Sequence, residues 1–269
     1  MEPRHQDTTE KFHEAKAEEA ATAIVTQPQP AQNPFAIPGA IVIAGLIIAG
    51  AVVYNGKTAG VIVPTDGAAQ AAATADEADN GPDQMRPVDG SDFIIGNPNA
   101  KVKIVTFSDL ECPFCKRFHF TMKEVMQQYG PSGDVAWVFR HFPLDSLHSQ
   151  ARPESIAAEC AGRLGGNEAF WKYLDAVFEE TPSNDGLDLA KLDEFATTLN
   201  VDTVAFTACR EGEDASGAVE ADFQDAIASG GTGTPYSVII AADGKRTPFS
   251  GAQPKANIER AIKQALGEK

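Results

Sequence analysis

Lys103 to Phe120 reads KIVTFSDLECPFCKRFHF. The apolar run Val102 to Phe107, rich in β-branched and aromatic residues, predicts a strand; after an acidic bend, Cys112-Pro113-Phe114-Cys115 opens a stretch with helical spacing. A strand therefore delivers a CxxC to the start of a helix. Pro113 suits the first helical position, where a backbone N–H would go unpaired anyway, and this puts Cys112 at the N-cap. Its sulfur then faces free N–H groups and the positive end of the helix dipole, both of which favour thiolate over thiol. Lys116, Arg117 and His119 push the same way, while Asp109 and Glu111 oppose them. The net expectation is a lowered pKa, from ~8.5 toward a range of about 3.5–7.5.

Composition bounds what surrounds this stretch. A chain of 269 residues has room for one or two domains, and the last ~180 residues suffice for one sizeable core. The net charge of −16 and the lack of a basic patch argue against nucleic acid as a partner. Four cysteines fall into a tight pair, Cys112 and Cys115, and a distant pair, Cys160 and Cys209. By spacing alone the tight pair fits a redox centre, a zinc site or a structural disulfide, and the distant pair fits a disulfide or two buried thiols.

Along the chain, residues 1–34 mix charge with Ala, Thr, Gln and Pro and hold too few large apolar residues to bury a core, so disorder is expected. Phe35 to Tyr54 carries no charge and, as a helix, would cross a hydrocarbon core of ~30 Å. It is a transmembrane helix candidate. Ala49-Gly50-Ala51 also offers a signal-peptidase-like site, although the preceding residues are long and acidic rather than short and basic, and a buried core helix is a third reading. Charge does not orient the span, since Lys16 and Lys57 flank it. Residues 55–91, rich in Ala, Asp, Gly and Pro, read as a flexible linker with a reach of roughly 30–35 Å.

The expected folded part is 92–269. A short strand begins at Asp92, and the Asn97-Pro98-Asn99 turn leads to the strand before Cys112. The next helix lines Phe118, Met122, Val125, Met126 and Tyr129 along one face and stops near Gly130-Pro131. Asp134 to Leu144 reads as a second strand, joined to the first by a right-handed crossover. About 146–230 is helix after helix, with breaks at Gly165-Gly166, Thr181 to Gly186, Asn200 and near Gly212. Phe170, Trp171, Leu174, Val177 and Phe178 recur there as core. Tyr236 to Ala241 and Arg246 to Ser250 form a hairpin, and Pro254 to Leu266 a closing helix.

FSDLECPFCKRF, followed far downstream by GTGTPY, resembles the DsbA-like branch of the thioredoxin superfamily from about Asp92 to the C-terminus. The resemblance implies a thioredoxin-like α/β fold with an inserted helical domain, here preceded by the single transmembrane helix and the linker. It implies thiol–disulfide exchange with Cys112 as the attacked sulfur, Cys115 as the resolving cysteine, and Pro113 and Phe114 as the rest of the motif. Pro235 is then a cis proline beside the sulfurs, and Thr234 pairs by its backbone with bound peptide. Cys160 and Cys209 match a structural disulfide that some relatives carry. Strongly oxidising relatives have His where this chain has Phe114, so the resemblance speaks to the reaction more than to its direction. His141 and His148 are read as packing or capping residues that the exchange does not need.

No cofactor or metal is expected. The reading is a bacterial, membrane-tethered thiol:disulfide oxidoreductase with an extracytoplasmic catalytic domain, acting as a dithiol oxidase on reduced or unfolded secreted proteins. Its implied redox partner is a membrane protein of the DsbB or vitamin K epoxide reductase-like type. A reductase, an isomerase, or a non-catalytic peptide- or metal-binding module are the alternatives.

Overall fold

The computed structural model describes residues 80–268. The expected disordered segment 1–34, the transmembrane helix 35–54 and the linker as far as residue 79 lie outside the described residues. Among the described residues no helix is long and apolar enough to cross a membrane.

Among the described residues five strands form one sheet in the order β1-β3-β2-β4-β5. They are β1 (Phe93–Gly96), β2 (Val102–Ser108), β3 (Val135–His141), β4 (Tyr236–Ile240) and β5 (Arg246–Ser250). Only β2 and β3 run parallel, with Val102 opposite Val135 and Ser108 opposite His141. Helix α1 (Pro113–Tyr129) is the crossover between them. The other neighbours are antiparallel, as short hairpins and edge returns allow.

Alternation along β2 divides the core into two layers. Val102 and Ile104 face a cluster that includes Phe118, Met122 and Val125 of α1 and Ile258 and Ile262 of the closing helix α6 (Lys255–Leu266). Val105 and Phe107 face the opposite cluster, with Met85, Phe142, Tyr236 and Ala226. Ala226 belongs to α5 (Glu213–Ala228).

Between β3 and β4 lies the helical insertion: α2 (Ala151–Glu180), α3 (Lys191–Thr198), α4 (Thr203–Glu211) and α5. Its breaks follow local chemistry. Gly166 sits at φ +80° inside α2 and splits it into two helices, a conformation that a side chain would strain. Asn200, at φ +59°, follows α3. The Asp202 side chain then caps α4 by accepting from the Ala205 N–H at 2.8 Å. Phe170, Trp171, Leu174, Val177 and Phe178 are all buried.

The boundary expected at residue 92 moves upstream. Residues 80–91, read as flexible linker, pack onto the domain: Met85 is only 2% exposed, and the Gly81 N–H donates to the Ala228 carbonyl at 2.9 Å. Arg86 Nη2 bonds Asp92 at 2.8 Å and Asp222 at 2.9 Å. The fully buried Arg140 bonds Asp92 and Asp225. A Pro-, Gly- and Asp-rich segment reads as coil by composition, yet it is ordered here because Arg86 pairs with Asp222 of α5 and the Arg86 and Pro87 carbonyls accept from the buried Arg140 of β3.

Candidate active site

The end of β2 and the start of α1 position the dithiol. Asp109 makes the turn: its carbonyl accepts from the Cys112 N–H at 3.3 Å, and its own N–H donates to Cys115 Sγ at 3.4 Å. Cys112 is the N-cap of α1, in extended conformation, and Pro113 occupies the first turn. The structure holds both cysteines as thiols, with Cys112 5% and Cys115 1% exposed.

The two sulfurs differ in acidity. The Cys115 thiol, hydrogen-bonding to Cys112, is the largest influence on Cys112; burial opposes it, and the Cys115 and Phe114 N–H groups and the Thr234 hydroxyl add to it. The Cys112 pKa falls to about 6. Burial, and then the neighbouring Cys112 charge, push Cys115 well above the ordinary thiol value. One sulfur is set up as a thiolate and the other as a thiol.

This acidity comes first from the Cys115 thiol and then from the N–H groups of the helix terminus and the Thr234 hydroxyl, rather than from the basic side chains expected to provide it. Lys116 Nζ donates to the Thr181 carbonyl at 2.6 Å. The Arg117 guanidinium lies over the Phe114 ring, 5.3 Å from its centroid. His119 is buried against Trp137, Trp171 and Phe178, with its Nε2 2.7 Å from Asp175, and burial lowers its pKa. A neutral imidazole facing the core adds no charge to the thiolate.

Thr234 and Pro235 sit at the head of β4, directly against the sulfur. The Thr234–Pro235 bond is cis, and the Cys112 thiol donates to the Thr234 carbonyl at 3.7 Å. Thr234 Oγ1 is buried and, among the described residues, has no partner apart from the Cys112 sulfur. Phe114 is 54% exposed and, with Pro113 and Arg117, forms the outer face of the first turn. Cys160 and Cys209 are joined in a disulfide that ties α2 to α4. Among the described residues no three His, Cys, Asp or Glu side chains converge as a metal site. A cavity of about 490 Å³ lined by Arg86, Phe93, His141, Glu159 and Asp222 includes neither cysteine of the motif.

Sequence reasoning missed a group of buried acids behind the motif. Asp109 accepts from the Glu111 N–H (2.8 Å), the Leu144 N–H (2.8 Å) and His148 Nδ1 (2.9 Å). Glu111 accepts from the Thr181 hydroxyl at 3.0 Å and the Gly186 N–H at 3.2 Å. Glu154 of α2 is fully buried, and burial, followed by the Glu111 carboxyl, raises its pKa to about 10. The available signal was spacing: Glu154 stands on the same helical stripe as Ala158 and Ala161, which are core.

A strand-to-helix dithiol with one acidic and one suppressed thiol, against a cis proline on a thioredoxin-like sheet, defines the thiol:disulfide oxidoreductase class of DsbA-like proteins. Residues 89–264 match the family model described as Thioredoxin, and the chain belongs to that family. It is similar to DsbA2 of Pseudomonas aeruginosa, at 27% identity and a TM-score of 0.56, over 68% of this chain and 98% of that one. It shares its fold with α-DsbA1 of Wolbachia pipientis, at 23% identity and a TM-score of 0.59, over 70% and 96% of the two chains. It is also 32% identical over 123 residues to a protein named Na(+)/H(+) antiporter NhaA 1 of Mycolicibacterium gilvum, covering 45% of this chain and 19% of the antiporter. The chain thus spans about a fifth of the length of the curated relatives it matches.

Proposed function

We propose that this chain exchanges disulfides with protein thiols and that its working direction is dithiol oxidation. The observation that carries this reading is the split acidity of Cys112 and Cys115. In the oxidised enzyme a substrate thiolate attacks Cys112 Sγ, the Cys112–Cys115 bond breaks, and Cys115 leaves and takes up a proton. A second substrate thiolate then attacks the substrate sulfur of the mixed disulfide, and Cys112 leaves as thiolate. The substrate loses two electrons and the enzyme dithiol gains them. A pKa of about 6 makes Cys112 the better leaving group in the second step. Its ionisation at pH 7 stabilises the reduced form by about 1.4 kcal/mol, or about 30 mV toward an oxidising potential.

Exposed Phe114 beside Pro113 gives the site an apolar rim suited to unfolded, reduced polypeptides. The Cys160–Cys209 disulfide supports an extracytoplasmic, oxidising location, since such bonds seldom persist in a reducing cytosol. The uncharged stretch Phe35 to Tyr54 supports a membrane anchor with the catalytic domain outside. In this reading a membrane oxidant of the DsbB or vitamin K epoxide reductase-like type restores the disulfide.

Equilibrating the full chain against glutathione buffers, without metal, tests the proposal. A potential toward about −120 mV supports the oxidase, and one toward about −270 mV replaces it with a reductase. Failure of the Cys112–Cys115 pair to exchange at all would leave a peptide-binding module.

A further inference from the structure

Resting on that reading, we propose that His148 is a positioning residue for the exchange: paired with Asp109, it cancels the buried carboxylate beside the dithiol and so keeps Cys112 in its thiolate form. Asp109 sits directly beneath the dithiol. Its backbone touches both cysteines, by the carbonyl to the Cys112 N–H and by the N–H to Cys115 Sγ. Its side chain is fully buried. A lone carboxylate at that point would raise the cost of a second negative charge on Cys112.

His148 comes from the segment between β3 and α2, is itself 7% exposed, and places Nδ1 2.9 Å from Asp109 Oδ2. Burial lowers the pKa of its imidazolium, but the Asp109 bond and charge outweigh that and raise it above the ordinary histidine value. Burial raises Asp109 in turn. The groups facing His148 are Asp109 from the β2–α1 turn, Cys112 from the N-cap of α1 and Asp185 from the loop after α2. Behind Asp109 stands Glu154, whose high pKa keeps it neutral at pH 7. The Glu111 carboxyl, also buried beside the motif, is held by the Thr181 hydroxyl and the Gly186 N–H, so whether the Asp109 charge is balanced depends on whether His148 holds its proton. The sequence reading made His148 a packing residue; its bond to Asp109 gives it this second role.

The test follows thiolate absorbance against pH in the purified full chain. His148→Gln leaves Asp109 uncompensated and should move the Cys112 midpoint up by about one pH unit, with a more reducing potential and slower exchange at pH 6. Asp109→Asn with His148→Gln removes both charges and should return the midpoint toward the wild-type value, which a purely structural role would not do. A wild-type measurement guards against misfolded variants. By reciprocity, the His148 imidazole, followed by NMR, should titrate higher in the reduced chain than in the oxidised one. Equal His148 titrations in the two redox states, or a His148→Gln midpoint equal to wild type, overturns the inference. Loss of glutathione exchange in the wild-type chain would instead overturn the functional reading on which it rests.

Discussion

The carboxyls of Glu111 and Glu154 are buried side by side, and Glu111 is the residue immediately before Cys112. Two like charges out of water cannot both ionise cheaply, so Glu154 keeps its proton at neutral pH, with a pKa of about 10. A folded-state pKa above the unfolded value means that the folded chain binds the proton more tightly. Stability from this group is fully present below the ordinary value of 4.5 and falls as pH rises toward about 10. The slope is up to about 1.4 kcal/mol per pH unit. Glu154→Gln should flatten the decline, measured as denaturation midpoints between pH 5 and 9. An unchanged pH dependence would show that Glu154 ionises in the fold without penalty.

Iodoacetamide should modify the reduced chain at Cys112 alone, with a rate that rises through a midpoint near pH 6. Cys115, 1% exposed and with its pKa pushed up by burial, should stay unreacted under the same conditions. Peptide mapping by mass spectrometry after a short pulse reads both. Comparable labelling of the two would contradict the split acidity.

Thr234→Val should raise the Cys112 midpoint by a fraction of a pH unit, because it removes a hydroxyl that stabilises the thiolate and that has no other protein partner. Thiolate absorbance against pH gives the comparison. A midpoint that stays put would leave the helix N–H groups and Cys115 as sufficient cause.

Replacing Cys160 and Cys209 together by Ser should cost about 2–4 kcal/mol in urea unfolding, since the bond closes a long loop in the unfolded chain. The two residues are 49 apart in sequence. Neither lies in the dithiol motif, so glutathione exchange at Cys112 should persist in the variant wherever it is folded.

Arg140→Met should be more costly, about 3–5 kcal/mol, because it takes the buried cation from Asp92 and Asp225, leaving Asp92 no cation but the partly exposed Arg86 and the Asp225 carboxylate only a backbone N–H. Additional removal of Asp225 as Asn should recover part of the loss, which calorimetry or denaturant titration would resolve.

What could be read from residues alone was the part governed by neighbours in sequence. Pro113 after Cys112 predicts a helix start, Gly166 and Asn200 predict breaks, and the apolar spacing of Phe118, Met122 and Val125 predicts the buried face of α1. The structure follows each of these. The parts that escaped depend on distant partners. Lys116 and His119 look like charges beside Cys112 until Thr181 and Asp175 are seen to engage them. Residues 80–91 read as coil because the groups that order them, Asp222 and Asp225, follow Arg86 by more than a hundred residues.

That separation also sets an order of events during synthesis. Arg86 finds Asp222 only 136 residues later in the chain, an interval of about 7–27 s for a ribosome adding about 5–20 residues per second. The central strand β2 waits about as long, because its second neighbour, β4, begins at Tyr236. Met85, Arg86 and the β4-facing edge of β2 are therefore unsatisfied surfaces throughout that interval. The CxxC turn is made before either closure, so its thiols emerge on a chain that has not yet formed the walls that distinguish them.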